Sequence, residues 1–127
     1  MRIENFIRFD ASSPRILGLV RNQNILVPRI QLCKTDEVPI GGALKIETAG
    51  LILALFRTGS EFYTTDDCCT HGPGSLSEGF LEGEVIECNF HQGKFNIRTG
   101  EVVLPPCTVP IRIYKTVVED GTVYIEV

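Results

Sequence analysis

From Ile30 to the end of this 127-residue chain, apolar and β-branched residues come in short runs broken by turn residues, and helical periodicity is almost absent. Short runs at close intervals are the pattern of an antiparallel sandwich or barrel. They predict strands over 43–47, 51–57, 61–64, 84–87, 94–97, 101–104, 111–118 and 122–126. Four links, Thr48-Ala49-Gly50, Thr58-Gly59-Ser60, Arg98-Thr99-Gly100 and Glu119-Asp120-Gly121, carry a glycine that tolerates positive φ and read as hairpins. The run 122–126 alternates apolar and polar residues, as a half-buried strand does, and is expected to pair with 111–118 across Asp120-Gly121. Between Thr65 and Gly83 the β pattern stops, and a loop of that length inside a compact domain usually has a function.

A chain of this length and of 14.1 kDa closes one hydrophobic core and no second domain. With 43% hydrophobic and 22% charged residues it has the composition of a globular protein, not of a disordered one. Charge is unevenly spread. Residues 1–29 hold five of the 12 basic side chains against Glu4 and Asp10, which leaves seven basic and fourteen acidic side chains in residues 30–127. An acidic body argues against nucleic acid and favours a basic protein partner reached by electrostatic steering. The longest apolar run, 49–56, is far short of the roughly 20 residues needed to cross a bilayer. The first 29 residues lack the continuous apolar stretch of a secretory signal, so a cytoplasmic protein without membrane attachment is expected.

The candidate chemistry lies in the long loop and just beyond it. Five cysteines, an odd number in a chain without secretory features, suggest metal binding before disulfides. The two histidines each follow a cysteine closely, as Cys69-Thr70-His71 and Cys88-Asn89-Phe90-His91, with sixteen residues between. Two thiolates and two imidazoles can complete the coordination of two sulfide-bridged irons, one iron taking both cysteines and the other both histidines. Zinc is the simpler alternative for such a donor set, but its ligands usually come as a pair of cysteines followed by a pair of histidines, whereas here the types alternate. Cys68 with His71 is a second possible chelate.

With those residues in view, the chain resembles the Rieske [2Fe-2S] ferredoxins of bacterial aromatic-ring-hydroxylating dioxygenase systems, such as the biphenyl, naphthalene and carbazole types. The resemblance is carried by Phe62-Tyr63-Thr64-Thr65-Asp66-Asp67, Cys69-Thr70-His71-Gly72, Leu76-Ser77-Glu78-Gly79, Ile86-Glu87-Cys88-Asn89-Phe90-His91, Gly93-Lys94-Phe95-Asn96 and Pro105-Pro106-Cys107, and covers about residues 30–127. It implies an all-β Rieske fold: an antiparallel β-sandwich or barrel with a small cluster-binding subdomain inserted between strands, its cluster loops at about 65–96. It selects Cys69 over Cys68 and implies Cys69 and Cys88 on one iron, with His71 and His91 on the other. It further implies a monomeric one-electron carrier between a flavin-dependent reductase and a terminal Rieske oxygenase, an electron-transfer component and not a catalyst. With both histidines committed to the cluster, the chain lacks the two further histidines that a mononuclear iron site needs beside a carboxylate. A Rieske-like small subunit of a larger redox enzyme such as nitrite reductase is the alternative.

Five finer expectations follow. High-potential members of the superfamily place Ser and Tyr donors where this chain has Gly93 and Phe95, and loop cysteines where it has Gly74 and Phe90, so a potential at the low end of the Rieske range is expected. Gly72, Pro73, Gly74, Gln92 and Gly93 are expected to keep the histidine edge accessible. Cys33, Cys68 and Cys107 are expected to be small buried hydrophobes, and Asp66, Asp67, Glu78, Glu82, Glu84 and Glu87 are either a solvated surface or a docking surface for a basic partner. Residues 1–29 fit three readings: a partner-binding extension, a vector-derived or misread start, or an added strand through Asn24 to Val27.

Overall fold

A computed structural model of the chain describes residues 6–8, 16–22, 25–70, 72–90 and 92–127. Twelve strands and two single 3-10 turns, at Thr35–Glu37 and Leu76–Glu78, make up the regular structure of these residues. The strands are β1 (Phe6–Arg8), β2 (Ile16–Asn22), β3 (Ile25–Lys34), β4 (Gly42–Thr48), β5 (Leu51–Arg57), β6 (Phe62–Asp66), β7 (Phe80–Glu82), β8 (Val85–Glu87), β9 (Lys94–Asn96), β10 (Val102–Leu104), β11 (Ile113–Glu119) and β12 (Thr122–Glu126). Eight form one sheet in the order β1-β4-β5-β6-β11-β12-β3-β2, and four form a second in the order β10-β9-β8-β7. Every pairing is antiparallel except β1 with β4. The small sheet lies wholly between β6 and β11 in the chain, which is the inserted subdomain expected from the sequence.

Turn chemistry sets the register of the large sheet. Ala49 and Gly50 between β4 and β5, and Asp120 and Gly121 between β11 and β12, all have positive φ. Two consecutive positive φ values give a turn whose twist matches that of its flanking strands. Glu119 consequently pairs with Thr122, as the sequence predicted.

β5 explains why the longest apolar run falls where it does. Leu53, Ala54, Leu55 and Phe56 are all fully buried, although successive strand residues point to opposite faces. Leu53 and Leu55 enter a core with Leu32, Leu44, Ile46, Val123 and Ile125. Ala54 and Phe56 enter a second core with Leu76, Ile86, Phe95, Ile97, Cys69, Cys88 and Cys107. One strand is thus the wall between a structural core and the core that backs the cysteines.

Two expectations about elements need correction. The interval 65–83 is not free of β structure: β7 lies within it, paired to β8, and Cys68 bridges Ser75. β7 has only three residues, too short for its alternation to show, and Gly79 and Gly83 flank it. Strand β11 begins at Ile113, not Ile111, because the Ile111 N–H donates to the Gly100 carbonyl at 2.9 Å and its side chain is buried in the second core. Of the proposed added strand at 24–27, residues 25–27 are the start of β3, and Asn24 lies outside the described residues.

Candidate metal centre

Both candidate ligand cysteines continue the alternation of the strands that lead to them. After β6 the chain points Asp67 and Cys69 inward, each 3% exposed, and Cys68 outward. After β8, Cys88 falls on the same buried side as Ile86. Side-chain direction in extended chain therefore separates Cys69 from Cys68 without appeal to family spacing. The expectation that Cys68 is buried is corrected on this ground: it is exposed, while Cys33 and Cys107 are buried as expected.

Backbone hydrogen bonds close each loop on its cysteine. Cys69 N–H donates to the Gly74 carbonyl at 3.1 Å, and Cys88 N–H donates to the Gly93 carbonyl at 2.7 Å. Ser75 N–H donates to Asn89 Oδ1 at 2.9 Å and links the first loop to the second. Thr70 Oγ1 donates to the Val109 carbonyl at 2.7 Å and links the first loop to the segment after β10. Gly74 allows the two loops to meet: a Cβ there would lie 2.6 Å from Cys88 Sγ, 3.3 Å from Phe90 Cβ and 3.4 Å from Cys69 Cβ.

Beneath the first loop, Asp67 acts as a buried clamp. Its Oδ1 accepts the Ser77 N–H at 2.8 Å, its Oδ2 accepts the Ser75 hydroxyl at 2.6 Å, and Lys45 Nζ stands 3.7 Å away. Asp67 is thereby removed from the acidic residues offered as a docking surface. Asp66 accepts the Tyr114 hydroxyl at 2.5 Å, Glu84 accepts the Tyr63 hydroxyl at 3.3 Å and lies 4.0 Å from Arg98, and Glu87 lies 3.9 Å from Lys94. Glu78 and Glu82 are exposed.

Three thiols converge at the bottom of the loops. Cys69 is in hydrogen-bonding contact with both Cys88 and Cys107. Burial pushes the Cys88 thiol up to about 11, with contact to Cys69 adding to it and the Phe90 N–H working against it. Burial likewise raises Cys107. A pocket that resists thiolate formation is one in which a bound cation relieves the charge, and soft thiolates suit iron–sulfur clusters. Phe90 N–H points at Cys88 Sγ at 3.4 Å, a donor placed on the sulfur that would carry charge. The cysteine half of the site thus fits the implied cluster. His71 and His91 lie outside the described residues.

The expectation about small residues is refined. Pro73 and Gln92 are exposed beside the histidine positions, but Gly93 is buried, and its lack of a side chain makes room for Cys107, whose Sγ would lie 2.2 Å from a Cβ at residue 93. Sequence reasoning did not connect Cys107 with the site, since nothing in its spacing marks a contact with Cys69.

Comparison with known proteins agrees with this geometry. The Rieske [2Fe-2S] domain family matches residues 29–115. The ferredoxin CarAc of Metapseudomonas resinovorans is 43% identical over 97 residues, covering 76% of this chain and 91% of the relative. The biphenyl dioxygenase ferredoxin subunit of Pseudomonas sp. strain KKS102 is 44% identical, covering 74% and 87%. Among solved structures, a chain in the complex of reduced oxygenase and oxidized ferredoxin in carbazole 1,9a-dioxygenase superposes with a TM-score of 0.73 at 42% identity, covering 77% of this chain and 92% of that one. A nitrite reductase small subunit superposes with a TM-score of 0.67 at 19% identity, a likeness of fold alone. Inserted subdomain, paired cysteine loops and sequence relatives agree, and the chain belongs to the Rieske [2Fe-2S] domain family.

Proposed function

We propose that this protein is the ferredoxin component of an aromatic-ring-hydroxylating dioxygenase system, carrying single electrons from a flavin-dependent reductase to a terminal Rieske oxygenase. The observation that carries the reading is the convergence of Cys69 and Cys88 at the junction of two loops, in a chain 42% identical to a ferredoxin solved with its oxygenase. The cofactor is one Rieske-type [2Fe-2S] cluster, held by Cys69 and Cys88 on one iron and by His71 and His91 on the other. When bound, such a cluster supplies a one-electron couple within about −150 to +300 mV.

The chain's own residues set where in that range the couple falls and who can reach it. Phe95 is fully buried against the cysteines and has no hydroxyl to donate, and Gly93 has no side chain, which favours the low end of the range. Phe90, Val109 and Leu104 remain 46%, 55% and 45% exposed on or near the loops that carry the site. Apolar side chains left in water beside a redox centre suit a surface that is covered when a partner docks. Exposed Glu78 and Glu82 add attraction for a basic partner.

The nitrite reductase alternative rests on likeness of fold alone and is not favoured. We place the Rieske domain at 30–127 and treat 1–29 as an extension that contributes β1, β2 and the start of β3 to the large sheet. Among the described residues no helix is long and apolar enough to cross a membrane. A monomeric carrier working in the cytoplasm is part of the proposal.

The test is anaerobic purification followed by iron and acid-labile sulfide analysis and reconstitution with a flavin reductase and a ring-hydroxylating oxygenase. Equal amounts of iron and sulfide, loss of the visible spectrum in Cys69→Ser and Cys88→Ser, and its retention in Cys68→Ser are expected. A colourless protein that binds only zinc would overturn the reading.

A further inference from the structure

We propose that Cys107 is a positioning residue for the redox centre, filling the space that a side chain at residue 93 would take and directing an S–H donor at the sulfur of Cys69. The inference rests on the reading of Cys69 and Cys88 as iron ligands. Three observations carry it. A Cβ at Gly93 would fall 2.2 Å from Cys107 Sγ, 3.3 Å from Cys107 N and 3.4 Å from Cys107 Cβ, so the two residues compete for one volume. The Cys107 and Cys69 side chains are in hydrogen-bonding contact: as two thiols Cys69 is the donor, but a Cys69 thiolate bound to iron can only accept, which leaves Cys107 as the donor. Cys107 is 2% exposed, and its segment is tied down by the Thr70 hydroxyl on the Val109 carbonyl, so the contact is dry and fixed to the residue next to Cys69 itself.

The consequence follows from charge. Reduction adds one negative charge, part of which resides on the ligand sulfurs. A hydrogen-bond donor on one of them stabilises the reduced state more than the oxidised one and raises the midpoint potential. A sulfhydryl is a weak donor, but in a water-free pocket a weak donor is not displaced. Removing it should shift the ratio of reduced to oxidised protein at a fixed ambient potential toward oxidised by about twofold to tenfold, the upper figure being about 59 mV for a one-electron couple.

Redox titration followed by visible absorption tests this on the cluster-loaded protein. Cys107→Val keeps bulk without a donor and should lower the midpoint, whereas Cys107→Ser keeps a donor and should hold it at or above the parent value. A Cys107→Val protein with the parent midpoint would reduce Cys107 to a filler and overturn the proposal. The spatial claim is tested separately: Gly93→Ser should lose cluster through collision with Cys107, and Gly93→Ser combined with Cys107→Ala should regain it. Equal cluster content in the single and double variants would also overturn it. Failure of the ligand reading is recognised independently, because Cys69→Ser and Cys88→Ser would then keep their cluster whatever the Cys107 variants do.

Discussion

A Cβ on Gly74 would sit 2.6 Å from the Sγ of Cys88, closer than a side-chain carbon and a sulfur can approach. The relationship means that the first loop can close over the second only while residue 74 has no side chain. The nearer cost is to the ligand sulfur, which must move if a methyl enters. Gly74→Ala is therefore expected to destabilise the folded protein by about 1–3 kcal/mol, the usual range for overpacking, and to lose most of its iron. Gly59, whose Cβ position meets nothing within 4 Å, is the control. Iron per protein and the visible spectrum of Gly74→Ala and Gly59→Ala, purified side by side, check the difference.

Asp67 gives a second prediction, because its carboxylate holds the Ser77 N–H, which would otherwise be stranded, and the Ser75 hydroxyl, which keeps Ser77 Oγ as a second partner at 3.0 Å. Asp67→Ala leaves the Ser77 N–H without its acceptor in a residue only 6% exposed, and also releases the Ser75 hydroxyl. An unsatisfied buried donor costs about 1–3 kcal/mol, so a loss of about that size is expected. Asp67→Asn retains an acceptor for Ser77 and should recover more than half of that loss. Urea unfolding of the three proteins separates a hydrogen-bonding role from a docking role, since loss of docking alone would leave stability unchanged.

These two residues also show what was and was not legible beforehand. Residue types and spacing singled out the two cysteine–histidine loops but left Cys68 open beside Cys69, which the family resemblance chose, and hairpin glycines placed most strands, because spacing and turns are local signals. Asp67 stood in an acidic run and was grouped with surface charges, since strand alternation at the end of β6 becomes visible only once the strand's boundary is known. Cys107 was legible as a buried residue but not as a neighbour of Cys69, which lies 38 positions earlier in the chain. Contacts of that range are set by how the small sheet folds onto β5, and no short window of sequence contains them. β7 was missed for the opposite reason: three residues are too few for a period to register.

Thiol chemistry should distinguish the cysteines sharply. Cys68 is exposed, whereas Cys33 is 3% exposed, with burial, aided by Glu37 and Asp36, pushing its thiol up to about 12. The thiolate is the reactive form. In the cluster-loaded protein an alkylating reagent at about pH 8 should modify Cys68 alone, and Cys33 only after unfolding. Peptide mass mapping after labelling reads this directly, and modification of Cys33 in the folded protein would contradict the burial described.

Glu78 and Glu82 are the exposed acidic side chains of the set proposed to meet a basic partner. Exposed charges separated by more than about 8–10 Å are screened at physiological salt. The rate of oxygenase reduction should fall as ionic strength rises, and Glu78→Gln with Glu82→Gln should lower the low-salt rate by about threefold to tenfold while leaving the high-salt rate nearly unchanged. Stopped-flow reduction at several salt concentrations measures both slopes. Parallel salt dependences in parent and variant would place the docking charge elsewhere.

The Cys33 thiol also links stability to alkaline pH. Its pKa is about 12 in the folded chain against 9.0 as the ordinary value, so the unfolded chain loses this proton first as pH rises. A group raised on folding contributes its full stability below the unfolded value and loses it progressively up to the folded value, here from pH 9 to about 12. At about pH 10.5 the contribution lost is about 2 kcal/mol relative to neutral pH. Tyr114 acts in the same direction, held up to about 12 by burial and by its hydrogen bond to Asp66. Cys33→Ala gives up some packing at every pH but removes this slope. Urea midpoints at about pH 8 and about pH 10.5 should therefore converge between parent and variant as pH rises. A constant gap between the two proteins would mean that Cys33 ionises in the folded chain as easily as in the unfolded one, contrary to its place in the core beside Leu32 and Val123.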